Sequence, residues 1–166
     1  MGKTVRYLEM TSPEDLRPAP AVPALGLLLL DRSSMLVRTT QAQVGEAYGW
    51  ASARRTDSEW EAELRAHPLL QYWLITHDGE PAGVSYLEPQ PGGSVEITAF
   101  GLLPARIGKG LGGPALTLAL QRAWATEPLG ADAVTRVWLH TCSADHPHAL
   151  RNYQRRGMRL YRTEAE

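Results

Sequence analysis

Residues 95–113 read Val95-Glu96-Ile97-Thr98-Ala99-Phe100-Gly101-Leu102-Leu103-Pro104-Ala105-Arg106-Ile107-Gly108-Lys109-Gly110-Leu111-Gly112-Gly113. A β-branched run carrying one acid is stopped by Pro104. A glycine-rich loop bearing Lys109 follows, and the Ala/Leu-rich stretch Pro114 to Ala125 then reads as a helix. Strand, loop and helix in that order place free backbone N–H groups and the positive end of a helix dipole at the loop. Such a loop is a site for phosphate or pyrophosphate. Glu127-Pro128-Leu129-Gly130 stops the helix, and Arg136 to Cys142 returns as a strand, so Ser94 to Cys142 is expected to form a parallel crossover unit.

Upstream, the pattern is that of a meander. Val5 to Met10 alternates as a first strand, and Thr11-Ser12-Pro13-Glu14-Asp15 is a helix-start signature cut short by Pro18, Pro20 and Pro23. Leu27 to Leu30 is either a buried strand or the packed edge of a loop. Ser33 to Ala47 reads as a helix with Met35, Leu36, Val44 and Ala47 on a broken stripe. Thr56-Asp57-Ser58-Glu59 is a capping box for a helix from Asp57 to about Ala66. Tyr72 to Thr76 and Ala82 to Leu87 flank the tight turn His77-Asp78-Gly79-Glu80, and Ser94 to Phe100 adds a third antiparallel strand. Downstream, a helix is expected from Asp145, as its cap, to Arg156, ended by Gly157, and Met158 to Arg162 as a last strand. The expected class is α+β, one domain over 1–166, with a mixed, mostly antiparallel sheet flanked by helices.

The whole chain supports that reading. Its 166 residues, 43% hydrophobic and 21% charged, suit one globular domain with a real core. The net charge of −1 gives no global field for nucleic acid. The charge is nevertheless uneven: residues 1–100 hold 8 basic and 13 acidic side chains, residues 101–166 hold 9 and 5. The positive part contains the glycine loop, as a polyanionic ligand would favour, although a solvated arginine-rich helix explains most of those arginines equally well. A single cysteine, Cys142, excludes an intrachain disulfide framework. The N-terminus carries no apolar signal-like region and the apolar run Ala24 to Leu30 is far too short to span a bilayer, so the expectation is a cytoplasmic protein with no membrane partner.

Gly108, Gly110 and Gly113 satisfy G-x-G-x-x-G, but the dinucleotide fingerprint also needs an acid at the end of the next strand, and Asp132 falls before it. A P-loop would need Ser or Thr after Lys109, where Gly110 stands. A glycine turn with no ligand remains the plain alternative. His140, Cys142, Asp145, His146 and His148 match no tight zinc spacing, and no metal is expected. Trp50, Trp60, Tyr72 and Trp73 are core packing or the wall of an acceptor pocket.

The loop Ile107-Gly108-Lys109-Gly110-Leu111-Gly112 resembles the Gln/Arg-x-x-Gly-x-Gly/Ala signature of the GNAT superfamily of acyl-CoA-dependent N-acyltransferases, with Ile107 in the place of Gln or Arg and Arg106 beside it. Ala149 to Met158 resembles the family's Ala-x-x-x-Tyr-x-x-x-Gly-Phe, with Met158 for Phe and His146 where an Asn is usual. The resemblance covers residues 70–163 well and 1–69 in outline. It implies acetyl-CoA as cosubstrate, a cofactor-binding and catalytic part over 70–163, and a variable acceptor-shaping part over 1–69. It implies that cofactor contacts come from Phe100, Leu102, Leu103, Arg106 and the loop Ile107, Gly108, Lys109, Gly110, Leu111, Gly112 and Gly113, together with Asn152. Backbone N–H groups at Phe100 to Leu103 would hold the oxyanion. Glu96 is the implied base and Tyr153 the implied acid. Simple strand alternation puts Glu96 on one face with Thr98 and Phe100, opposite Val95, Ile97 and Ala99. The acceptor is then an amine on a small molecule or peptide, and a homodimer fits the family. A non-catalytic acyl-CoA-binding module and a nucleotide-binding protein are the alternatives from other classes.

Overall fold

The computed structural model describes residues 2–166. Its strands are β1 (Thr4–Met10), β2 (Leu25–Leu29), β3 (Gln71–His77), β4 (Glu80–Gln90), β5 (Ser94–Leu102), β6 (Arg136–Cys142) and β7 (Arg159–Ala165). Its α-helices are α1 (Met35–Gly45), α2 (Asp57–Ala66), α3 (Gly112–Trp124) and α4 (Ala149–Arg155). All seven strands form one sheet in the order β2-β3-β4-β5-β6-β1-β7. Every pairing is antiparallel except β5 with β6, which run parallel as the crossover requires.

Local chemistry accounts for most of these elements. The β3–β4 turn has Asp78 at φ 53° and Gly79 at φ 77°, the positive-φ pair that matches the twist of a two-residue hairpin. In α2 the Thr56 hydroxyl accepts from the Glu59 N–H at 3.2 Å, and the Glu59 carboxylate accepts from the Thr56 N–H at 3.0 Å, completing the capping box. Ser34 caps α1 by accepting from the Leu36 N–H. The buried face of α1 is Val37, Thr40 and Val44, whereas Met35 and Leu36 are exposed, so the stripe drawn from the sequence was rotated about the helix. Leu27 to Leu30 contributes to an edge strand, with Leu28 and Leu29 exposed.

The two faces of the sheet carry separate cores. On one, Leu116, Leu120 and Ala123 of α3 pack on Val95, Ile97, Val137 and Leu139, and Tyr153 and Met158 join them. On the other, Val37 and Val44 of α1 and Trp60 of α2 pack on Tyr72, Leu74, Val84, Tyr86 and Ala99. Strand β1 lies between β6 and β7, so the N-terminal residues complete the half of the sheet built by the C-terminal strands. Among the described residues no helix is long and apolar enough to cross a membrane.

Candidate active site

Strands β5 and β6 are paired for only three residues each, ending at Glu96 opposite Trp138. Beyond that point each strand continues for several residues without its partner, and a cleft of about 950 Å³ opens at the split. Thr98 and Phe100 of β5, His140 and Cys142 of β6, and Asn152 and Tyr153 of α4 line it. A bulge widens the departure: Tyr86 pairs with Ala99 and Leu87 with Ile97, which leaves Thr98 as an extra residue in β5.

That bulge overturns the expected face assignment. Val95 and Ile97 pack with α3, Ala99 packs with α1, and Phe100 returns to the α3 side. Glu96 and Phe100 therefore lie on opposite faces of the sheet, because one inserted residue reverses the alternation beyond it. Glu96 stands near the closed end of the split, where its Oε1 accepts from Gln90 Nε2 at 2.9 Å, and it is not among the residues lining the cleft.

The loop from Ile107 to Leu111 meets the α3 terminus at the other end of the cleft. Gly108 and Gly110 have φ of 77° and 76°, the left-handed region where a side chain costs about 1–2 kcal/mol. No side chain caps α3, so its first-turn N–H groups have no protein acceptor from a cap. Arg151 and Arg155 of α4, and Arg156 directly after it, line the same cleft. The Arg156 Nε is buried with no hydrogen-bond partner, and its guanidinium lies 3.1 Å from where a Cβ on Gly113 would be. An uncapped helix start beside an unsatisfied guanidinium fits a polyphosphate, and so fits the pyrophosphate-bearing cosubstrate that the resemblance implies.

Tyr153 is 7% exposed and sits edge-on to Phe100 at 6.3 Å between ring centroids. Its side chain borders the cleft. Burial, and secondarily the Asp145 carboxylate, push its pKa above the usual phenol value.

The Glu96 carboxyl is also shifted upward, by burial above all, with His140 and the Gln90 hydrogen bond opposing. The folded state thus holds this proton more tightly than the unfolded chain does. The stabilisation this brings is full below the ordinary carboxylate range and is lost as pH rises through the raised value. Glu96→Gln removes the buried charge, so its melting temperature should exceed the parent's at pH 7 and converge with it near pH 4 in thermal scans.

Asp145 was expected to cap the last helix. Instead α4 starts at Ala149, and Asp145 joins two walls of the cleft. Its carboxylate accepts from Trp50 Nε1 at 2.9 Å, from the Thr141 hydroxyl at 2.6 Å and from the Cys142 N–H at 3.0 Å. Trp50 belongs to the segment between α1 and α2 and lies close over Gly45, where a Cβ would come within 2.6 Å of its side chain. Asp145→Asn offers one amide oxygen in place of two carboxylate oxygens, so at least one donor loses its partner. A loss of about 2 kcal/mol is expected in chemical denaturation. Affinity for the acceptor should weaken more than affinity for the cosubstrate, because Trp50 belongs to the far wall.

Of the residues singled out in the sequence, the cleft gathers Phe100, Leu102, Ile107, Gly108 and Gly110, then Leu111, Gly112, Gly113, Asn152 and Tyr153. Asn152 donates from Nδ2 to the Gly112 carbonyl at 3.0 Å and so ties α4 to the start of α3. Three stand apart besides Glu96. The Leu103 N–H donates to the Ala82 carbonyl at 2.8 Å and is not free to hold an oxyanion. Arg106 donates to His77 Nδ1 at 2.7 Å, and Lys109 is exposed outside the cleft. Residues that sequence reasoning did not assign are the α4 arginines, whose signal was the positive balance of residues 101–166, and the Trp50–Asp145 pair, which has no sequence signal. Among the described residues no three His, Cys, Asp or Glu side chains converge as a metal site.

The family model described as the acetyltransferase (GNAT) family matches residues 36–158. No curated protein matches the chain. Among solved structures, a GCN5-related N-acetyltransferase from Kribbella flavida superposes with a TM-score of 0.65 at 24% identity, over 99% of this chain and 58% of that one. A GCN5-related N-acetyltransferase from Sphaerobacter thermophilus gives 0.65 at 17% identity, over 99% and 50%. A tandem GNAT protein from the clavulanic acid biosynthesis pathway gives 0.61 at 18%, over 99% and 51%. At these identities the likeness is one of fold, and the chain spans little more than half the length of those proteins.

Proposed function

The chain belongs to the acetyltransferase (GNAT) family, and we propose that it is an N-acetyltransferase moving an acetyl group from acetyl-CoA to a primary amine of a small molecule or peptide, by direct attack in a ternary complex. One observation carries this reading: the β5–β6 split opens beside an uncapped, glycine-led helix start and has the largely buried Tyr153 at its border. When bound, acetyl-CoA supplies the acyl group as an activated thioester. The N–H groups of the loop and first α3 turn, with Arg156, hold the pyrophosphate, while Phe100, Leu102 and Asn152 flank the chain that follows it. Leu103 and Arg106 tie the approach to that loop to Ala82 and His77.

The amine must lose a proton before it can attack, since alkylammonium ions titrate near lysine's ~10.4. Glu96, the base that the resemblance implies, stands back from the cleft, so it acts through a group that borders the opening. Tyr153 keeps its proton and donates a hydrogen bond to the departing sulfur. Residues 1–69 shape the acceptor pocket, with Tyr48 and Trp50 in its wall.

The test has two stages. Calorimetry with acetyl-CoA, NAD and ATP should show binding of acetyl-CoA alone, and binding of NAD alone would overturn the assignment. Release of free CoA with a panel of amines then separates an enzyme from a module that binds acyl-CoA without turnover.

A further inference from the structure

Glu96 is the acid that the resemblance assigns as base, yet the residue that borders the cleft on its side is His140. Trp138 is the last residue of β6 paired with β5, opposite Glu96. His140 lies two residues further on, so its side chain projects from the same face as Glu96, roughly 7 Å along the strand. His140 is exposed, whereas Glu96 is half-buried with one carboxylate oxygen engaged by Gln90.

We infer that His140 is the group that meets the acceptor amine and takes its proton, with Glu96 behind it as the anion that holds the resulting imidazolium. The inference rests on the N-acetyltransferase reading above. An N–H bond of the ammonium breaks, an N–H bond forms on the imidazole, and the electron pair stays on the amine nitrogen for attack. The imidazolium then passes the proton to solvent through the open mouth of the cleft. After attack the nitrogen loses a second proton, which passes to the departing sulfur, so that over a turnover ammonium and thioester become amide, thiol and one released proton.

The surroundings suit that role. Tyr7 of β1 lies 5.7 Å from His140 and Trp138 of β6 lies 6.5 Å from it, between ring centroids, so two aromatic rings flank one side of the imidazole. From β7, Arg162 lies over the Tyr7 ring and Glu164 accepts from the Tyr7 hydroxyl at 3.0 Å. Glu96 is faced from β4 by Gln90 and Glu88, and from the segment after α2 by His67, which Glu88 holds at 2.8 Å. With Glu88 already engaged by His67, Glu96 is the anion left for His140, and their mutual attraction already acts on the Glu96 carboxyl. An imidazole changes charge near neutrality and can accept and release a proton within each turnover, which a buried carboxylate without access to the cleft cannot.

The experiment measures kcat/KM for an accepted amine against pH in the parent, His140→Gln and Glu96→Gln. His140→Gln should lower kcat/KM by roughly 100-fold and abolish the limb near neutrality. Calorimetric affinity for acetyl-CoA should be unchanged. Glu96→Gln should lower kcat/KM less and keep the limb. An unaltered rate and pH profile in His140→Gln would overturn the relay, as would loss of the limb in Glu96→Gln. If the parent binds acetyl-CoA but releases no CoA with any amine, the transferase reading falls and takes the relay with it.

Discussion

Tyr153→Phe should lower kcat by about 100-fold, the usual loss when one donor aimed at developing negative charge is removed. Its affinity for acetyl-CoA should be unchanged, because the ring keeps its packing on Phe100 and only the hydroxyl disappears. For the same reason the melting temperature should hold or rise slightly. The raised pKa of Tyr153 gives the role its form. A thiol titrates near ~8.5, well below a buried phenol, so complete proton transfer to the departing sulfur would run uphill. Tyr153 therefore works as a hydrogen-bond donor that stays protonated over the working range. The pH–rate profile should show no alkaline limb that Tyr153→Phe removes. Rapid-quench measurement of the acyl-transfer step, with calorimetry for the cosubstrate, checks both points, and a variant with parental kcat would remove Tyr153 from the chemistry.

Gly157→Ala should cost about 3 kcal/mol, combining backbone strain with overpacking. At this chain length that is a fall on the order of 10 °C in melting temperature. Gly157 has a φ of 101°, and a Cβ there would stand 2.0 Å from the Asp15 carbonyl oxygen. The residue closes α4: the Met158 N–H donates to the Tyr153 carbonyl at 3.1 Å and the Gly157 N–H to the Gln154 carbonyl at 3.0 Å. The same turn lets the Arg17 N–H reach the Arg156 carbonyl at 2.9 Å, so the N-terminal segment is docked here too. Because Tyr153 and Arg156 both hang on this closure, the surviving folded fraction should also show reduced kcat and weaker acetyl-CoA binding. Thermal unfolding and calorimetry on the same preparation separate the two effects. An unchanged melting temperature would show that the Asp15 turn moves aside freely.

Much of the site was legible because its signals are local. Two glycines with positive φ, a helix beginning directly after them, and a tyrosine four residues before the glycine that closes α4 are short-range patterns, and the structure brings Gly108, Gly110 and Tyr153 to one cleft. The position of Glu96 was misread for an equally specific reason. Alternation assumes an unbroken pleat, and the extra residue at Thr98 breaks it two positions after Glu96. Asp145 looked like a helix cap because an acid before a proline is one in most settings. Its partners Trp50 and Thr141 come from elsewhere in the chain and only folding brings them to it. The exposed faces of α1 and β2 were misjudged or left open because short apolar runs do not say which side a neighbouring element covers.

By itself, the sequence determined the order of elements, the crossover around residues 94–142, the turn chemistry and the phosphate-suited loop, since each follows from backbone propensity and nearest-neighbour hydrogen bonding. Only the tertiary structure decided that β1 inserts between β6 and β7, that β5 and β6 part after Glu96, and that His140 rather than Glu96 borders the opening. Those three outcomes depend on pairings between residues far apart in the chain. Such pairings are chosen by which faces can be buried together, and no window along the chain contains that information.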